Sequence, residues 1–318
     1  MFLQDDPLAD CKKKAGGQAV IEGIMMRGPL GIATAVRAPD GNIIINKKNY
    51  VSWTKRFFFG NWPFVRGGLI LIESLLLGLL SLEWSASIAM PDEEKAISEK
   101  KSERRRKIEM YIMMFISFAV GLGLFFLIPL FLTKLTQNYF VNTQFMQGSI
   151  MFNLIDAIIR LAFFLIYIIV ISRLPEIQRV FQYHGAEHKT IFTYEEDKEL
   201  KLENIRPNPI RHPRCGTSFL IFVMIVSFIV FVLIGKPDTF FLIASRILLL
   251  PVIAGISYEI IRFAGNHMDK KWVRIFIAPG IWLQHFTTRE PDDKQIEVGI
   301  ESLKAVIDPS YYEKVNND

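Results

Sequence analysis

Only two cysteines occur in this 318-residue sequence, so no disulfide framework holds it together. Cys11 stands in a polar N-terminal stretch and Cys215 in a segment expected on the cytoplasmic side, where free thiols fit a reducing compartment. The chain also lacks a Walker loop, a dinucleotide-binding glycine fingerprint and a serine nucleophile elbow. Those absences remove the common nucleotide-dependent and serine-hydrolase readings. No internal repeat of the kind that builds alternating-access transporters is visible. Residues 1–14 place acidic residues ahead of lysines and contain no apolar core, so no cleaved secretory signal is expected there. Histidine is scarce, with five in the chain, yet two of them stand four positions apart.

What the chain has in abundance is apolar length. It is 51% hydrophobic, with 26 Phe and 11 Met, and its mean hydropathy is +0.27. Residues 108–132 are almost unbroken apolar sequence. At about 1.5 Å per helical residue, this run exceeds the roughly 30 Å of a bilayer core. Three more runs follow: 150–171, interrupted by Asp156 and Arg160; 218–234, free of charge; and 240–261, carrying Arg246, Glu259 and a central Pro251. Each predicts a transmembrane helix.

Lysine and arginine set the orientation. Residues 95–107 carry seven and residues 172–217 carry eight, whereas 133–149 has Lys134 alone and 235–239 has Lys236 alone. The positive-inside rule then puts 95–107, 172–217 and the tail 262–318 in the cytoplasm, with every histidine inside or at the inner boundary. The isoelectric point of about 9.1 reflects charge that flanks spans. Anionic membrane lipid is the partner it implies, and nucleic acid is not.

Residues 1–62 read as a cytoplasmic strand-rich unit. Asp40-Gly41 between runs rich in Val and Ile is a hairpin signal, and the apolar stretch 16–26 encloses a single carboxylate, Glu22, expected to bond Arg27 or backbone donors. Residues 63–90 are apolar overall but contain Arg66, Glu73 and Glu83. With cytoplasmic flanks on both sides, this segment is expected to be re-entrant or interfacial. Glu73 and Glu83 are expected to partner individual basic groups, and Glu259 to meet Arg262 one turn on. The Arg104–Lys107 cluster anchors the first span at the interface. Residues 292–306 predict a surface helix whose stripe of Ile296, Ile300 and Leu303, continued by Ile307, packs on the other cytoplasmic elements. The fold class is an α-helical multi-pass membrane protein with cytoplasmic α/β elements, including a small N-terminal strand-rich unit.

The chemistry concentrates at 184–188, which reads HGAEH. Positions i and i+4 share a helix face, so the rings of His184 and His188 are placed to grip one metal ion. This is the H-x-x-E-H pattern of inverted zinc peptidases. Glu187 points about 100° from His188 on a helix of 3.6 residues per turn, which suits a water-activating carboxylate better than a ligand. Residues 173–193 have few helix breakers and predict a helix extending the second span inward. His212 and Cys215, three residues apart in a Pro- and Gly-constrained loop, are candidates to complete a zinc shell. The quieter reading is a pair of polar side chains ordering a helix–loop junction, with a turn-stabilising His212 and an inert Cys215. His267, Asp269 and His285 are expected to make interfacial hydrogen bonds.

Taken together, GGQAVIEGIMMRGP, FQYHGAEHKTI, HPRCGTSF and PGIWLQHFTTREP resemble the YqhQ-like family of bacterial multi-pass membrane proteins of unknown function, over about residues 14–306. The resemblance implies a bacterial cell-membrane protein of the Gram-positive type. It implies no reaction and identifies no metal ligand.

Three functional readings fit these residues. The sequence favours an integral membrane scaffold or assembly factor with a cytoplasmic-side metal site and a membrane or cytoplasmic protein partner. The second is a membrane-associated zinc-dependent hydrolase acting on a lipid-linked or membrane peptide substrate, with His184 and His188 as ligands, His212 or Cys215 completing the shell and Glu187 catalytic. The third is an ion or small-solute transporter. Catalysis requires three converging ligands, an open position and a cavity; a scaffold requires a closed or dispersed set; transport requires a polar cavity reaching into the membrane.

Overall fold

The computed structural model describes residues 15–60, 62–63, 65–91, 103–139, 148–235, 238–268 and 270–311. Cys11, Lys236, Asp269 and the basic residues at 95–102 lie outside them. Strands β1 (Gly16–Val20), β2 (Gly23–Gly28), β3 (Gly31–Arg37) and β4 (Ile43–Lys48) form an antiparallel meander in sequence order. The helices are α1 (Trp53–Arg56), α2 (Val65–Ala89), α3 (Glu103–Leu122), α4 (Ile128–Tyr139), α5 (Ser149–Ile171), α6 (Pro175–Glu195), α7 (Leu202–Ile205), α8 (Gly216–Ile234), α9 (Thr239–Leu248), α10 (Leu250–Asn266), α11 (Lys271–Thr287) and α12 (Asp293–Ile307). A π-helical turn, Gly123–Leu127, joins α3 to α4.

The Asp40-Gly41 turn joins β3 to β4 at the expected hairpin, with Gly41 at φ +91°. The stretch 16–26 is not one segment: it reverses at Ile21 and Glu22, leaving Val20 opposite Gly23. Glu22 takes φ 50° to close this two-residue loop. Such loops need positive φ, and Glu-Gly signals one far more weakly than Asn-Gly or Asp-Gly.

Strand side chains alternate between faces, and here both faces are covered. Ile24, Met26, Ala33 and Ala35 pack on α6 and α12, where Tyr183, Ala186, Ile296, Ile300 and Leu303 complete one core. Val20, Met25, Ile32 and Val36 turn the other way, onto Leu77, Trp84 and Ile88 of α2. This two-sided burial explains why β2 and β3 read as continuous apolar runs.

Among the described residues, α2, Tyr111–Gln137, α5 and α8 are long and apolar enough to cross a membrane, and α9 with α10 makes a fifth run bent by 43°. The architecture is that of a multi-pass membrane protein. At the centre of the bundle, α8 packs on α5 and α11 through Ile221, on α11 through Phe222, and on α10 through Val226. α2 is one unbroken 25-residue helix with two different faces. Its Gly67 meets Gly255 and Tyr258 of α10, its Ser85 accepts a hydrogen bond from Ile21 N–H at 3.2 Å, and Leu75, Leu76, Leu79 and Leu80 remain exposed.

α6 does not continue α5. Leu174 is extended (ψ 132°) and Pro175 begins the new helix, because a residue before proline is pushed out of the helical region. The ion pairs also differ from expectation. Glu22 pairs with Arg179 and accepts from Tyr183, not Arg27. Glu259 pairs with Arg66, not Arg262. Arg27 instead pairs with Glu73 at 2.8 Å. Each real partner is distant in sequence, so spacing along one helix could not reveal it.

One glycine is required by close approach. A Cβ at Gly185 would stand 2.1 Å from the Arg289 carbonyl oxygen, and Arg289 is itself held by its N–H bond to the Phe181 carbonyl at 2.9 Å. Gly185→Ala gains roughly 1 kcal/mol of helix propensity, but overpacking against fixed backbone costs about 1–3 kcal/mol. A net loss of stability is expected, read as a lower Tm in detergent; an unchanged or raised Tm would show that the segment at Arg289 yields freely.

Candidate metal centre

α6 carries His184, Glu187 and His188 on its inward side because Ala186 and Tyr183 anchor it to the sheet core. Cys215 arrives from a separate element, as the N-cap of α8. Each residue offers one ligand atom, and those atoms of His184, His188 and Cys215 all lie within 4.8 Å of one another. His188 and Cys215 are buried and His184 is largely so. A tetrahedral zinc with bonds near 2.0 and 2.3 Å sets nitrogen and sulfur ligands about 3.5 Å apart; His184 Nε2 and Cys215 Sγ are 3.2 Å apart.

The backbone fixes the imidazoles. His184 Nδ1 donates to the Thr287 carbonyl at 2.7 Å and His188 Nδ1 to the Ile210 carbonyl at 2.6 Å. A carbonyl only accepts, so each neutral ring carries its proton on Nδ1 and its lone pair on Nε2. Metal-ligating histidines are held in this way. The Cys215 thiol can satisfy His184 Nε2 without a metal. His188 Nε2, by contrast, is buried and meets no hydrogen-bond partner of good geometry among the described residues, the Cys215 thiol being close enough to act on it electrostatically. Burial lowers the His188 pKa from its ordinary value, with the neighbouring thiol opposing, and the neutral ring is the form that binds metal.

Glu187 is 5% exposed. Its Oε1 accepts from Gly17 N–H at 3.1 Å, and its Oε2 lies 4.0 Å from His184 Nε2. Burial raises its pKa, against the pull of His184, His212 and the Gly17 amide.

His212 stands next to the cluster, its ring centroid 5.7 Å from that of His188, but both its nitrogens are engaged. Nδ1 accepts from Arg214 N–H at 3.2 Å and Nε2 donates to Glu195 at 3.3 Å. Gln284 clamps the same residue, accepting from His212 N–H and donating to its carbonyl, both at 2.8 Å. His267 and His285 are remote, each bonded to a carbonyl of its own helix. Sequence reasoning missed Gln284, Gly17 and the Thr287 and Ile210 carbonyls. Backbone groups leave no trace in residue type.

Glu195 bridges His212 and Arg214. Burial pushes its carboxyl up, but hydrogen bonds from His212 and Arg214 outweigh that and hold it below the ordinary 4.5. A depressed carboxyl contributes stability that is full above the unfolded value and lost as pH falls through the folded one. Glu195→Gln should therefore flatten the loss of Tm that wild type shows below about pH 4.5; parallel profiles would remove Glu195 from the acid response.

The cluster borders a cavity of about 840 Å³. Residues of β1 line it, with Ile70, Ser74 and Leu77 of α2 and with His184, Glu187, His188 and Cys215. Three converging donors beside a buried carboxylate and an adjoining space form a cluster that could hold a metal ion.

The sequence is 34% identical over 298 residues to the protein YqhQ of Bacillus subtilis (strain 168), described as uncharacterized, covering 92% of each chain. No solved structure matches it. The pattern of the family described as "Protein of unknown function (DUF1385)" matches residues 62–309, and the chain belongs to that family.

Proposed function

We propose that this protein is a membrane-surface, zinc-dependent hydrolase whose ligands are His184, His188 and Cys215. The observation that carries this reading is the convergence of three ligand atoms, one of them without a hydrogen-bond partner among the described residues, in the lining of a cavity. A scaffold has no need of that opening. Two histidines and a thiolate suit zinc among the divalent metals. Zinc bound there supplies a Lewis acid and a water whose pKa is lowered to about 7.

The protein's own groups do the rest. Glu187 Oε2 faces the cluster and takes a proton from water, while Gly17 N–H holds Oε1 and so aims the carboxylate. The Thr287 and Ile210 carbonyls keep both Nε2 atoms turned inward. α2 sets the site at the membrane. Leu75, Leu76 and Leu79 are exposed while Leu77, Trp84 and Ile88 carry the sheet, a division that supports a helix lying in the interface. The site then opens on the cytoplasmic side, in keeping with the lysine and arginine count.

The test is the zinc content of detergent-purified protein, paired with Glu187→Gln. Near one zinc per chain in both proteins, with hydrolysis of membrane peptides or lipids lost only in the variant, is the expected result. Wild-type protein that folds and binds no zinc ends this reading.

A further inference from the structure

The cavity beside the cluster has a sheet edge for a wall. β1 is an outer strand of the meander, and Ala15, Gly16, Gly17, Gln18 and Ala19 all line the cavity. The two-residue loop at Ile21 and Glu22 decides which backbone groups are engaged. Val20 opposite Gly23 is the closing hydrogen-bonded pair, so by antiparallel alternation Gln18 bonds Met25 and Gly16 bonds Arg27. Gly17 and Ala19 consequently turn their N–H and C=O groups away from β2. The bond from Gly17 N–H to Glu187 shows the same parity. The Gly17 carbonyl and both backbone groups of Ala19 take no hydrogen bond among the described residues.

This edge is unguarded. β1 contains no proline, lysine or other charge, the usual devices against strand addition. Gly16 and Gly17 are exposed, and along this edge Glu187 occupies the Gly17 N–H alone. The α2 side of the cavity, Ile70, Ser74 and Leu77, carries no charge and is mostly apolar. Two arginines line the cavity, and both are already paired: Arg27 with Glu73 and Arg214 with Glu195. A phosphate headgroup finds no free cation in them, whereas a row of alternating donors and acceptors matches another peptide backbone.

We propose that the substrate is an extended apolar stretch of polypeptide that adds to β1 as a further strand and presents one peptide carbonyl to the cluster and Glu187. This rests on the hydrolase reading above. Hydrolysis forms the bond from carbonyl carbon to the oxygen of water and breaks the C–N bond. Glu187 takes the proton from water and passes it to the leaving nitrogen, so water is the sole co-reactant.

The experiment uses zinc-loaded full-length protein in lipid nanodiscs and two probes: acetohydroxamate and a Leu/Ala tetrapeptide hydroxamate. Affinities are measured by calorimetry, with each tetrapeptide amide N-methylated in turn. The tetrapeptide is expected to bind at least about tenfold tighter than acetohydroxamate, and N-methylation to cost roughly tenfold at alternate amides only. Ala19→Pro removes one outward N–H without touching the ladder, a change edge strands tolerate. It should weaken the tetrapeptide by a similar factor while zinc content and acetohydroxamate binding stay unchanged. Equal affinity for all N-methylated forms overturns strand addition, even with acetohydroxamate still bound. Failure of acetohydroxamate itself to bind zinc-loaded protein overturns the hydrolase reading instead.

Discussion

Replacing His184 and His188 together with alanine is expected to lower zinc affinity roughly a thousandfold or more, leaving the purified protein without metal. The size follows from the geometry. Both rings present Nε2 to the same point because the Thr287 and Ile210 carbonyls hold their Nδ1 atoms, and Cys215 alone cannot retain an ion. The readout is metal content per chain, by mass spectrometry, after identical mild chelation of wild type and variant. His188 is 1% exposed, so the variant also leaves a cavity, and its Tm should be compared with that of chelated wild type. Zinc retained in the double variant would place the site elsewhere; zinc absent from both proteins, with folding unchanged, would redirect attention to protein partners.

The second large effect lies in the apolar bundle, far along α5 from the cluster. Asp156 bonds Arg160 at 2.8 Å and lies 3.4 Å from Arg246, which also donates to Asn153 at 2.9 Å and stacks 3.6 Å from the Phe231 ring. One carboxylate thus serves two buried guanidinium groups. Asp156→Leu strands both arginines in apolar surroundings and is expected to cost about 3–5 kcal/mol, the penalty of breaking a buried pair from one side. Loss of folded protein in membranes, or a large fall in Tm in detergent, is the expected measurement. The triple replacement Asp156→Leu, Arg160→Met, Arg246→Met should recover most of that loss, because well-packed apolar groups replace the whole network. A triple variant no better than the single one would mean that the charges serve more than stability.

Several elements were legible before any coordinates. The long apolar runs, the Asp40-Gly41 hairpin and the α12 stripe of Ile296, Ile300 and Leu303 all follow from local period and turn chemistry. The hairpin at Ile21 and Glu22 was not legible, since Glu supplies a positive φ only under the constraint of the sheet around it. The break at Leu174 is signalled by Pro175, which excludes the preceding residue from a helical conformation. Among site residues, the i, i+4 spacing brought His184 and His188 to one face, and Cys215 joined them. His212, three residues from Cys215, was an equally good candidate by spacing; its neighbours Glu195 and Arg214 engage both its nitrogens.

The sequence by itself determined that this chain belongs with membranes, that His184 and His188 share one helix face, and that a small strand-rich unit precedes the apolar helices. These are properties of composition and of short-range periodicity. Only the tertiary structure decided that Cys215 completes the cluster, that Gly17 of the sheet aims Glu187 from 170 residues away, and that the free edge of β1 forms a wall of the same cavity. Those contacts depend on how the sheet packs between α2 and α6. Long-range packing is set by the sum of many weak apolar contacts, and no local spacing in the chain records it.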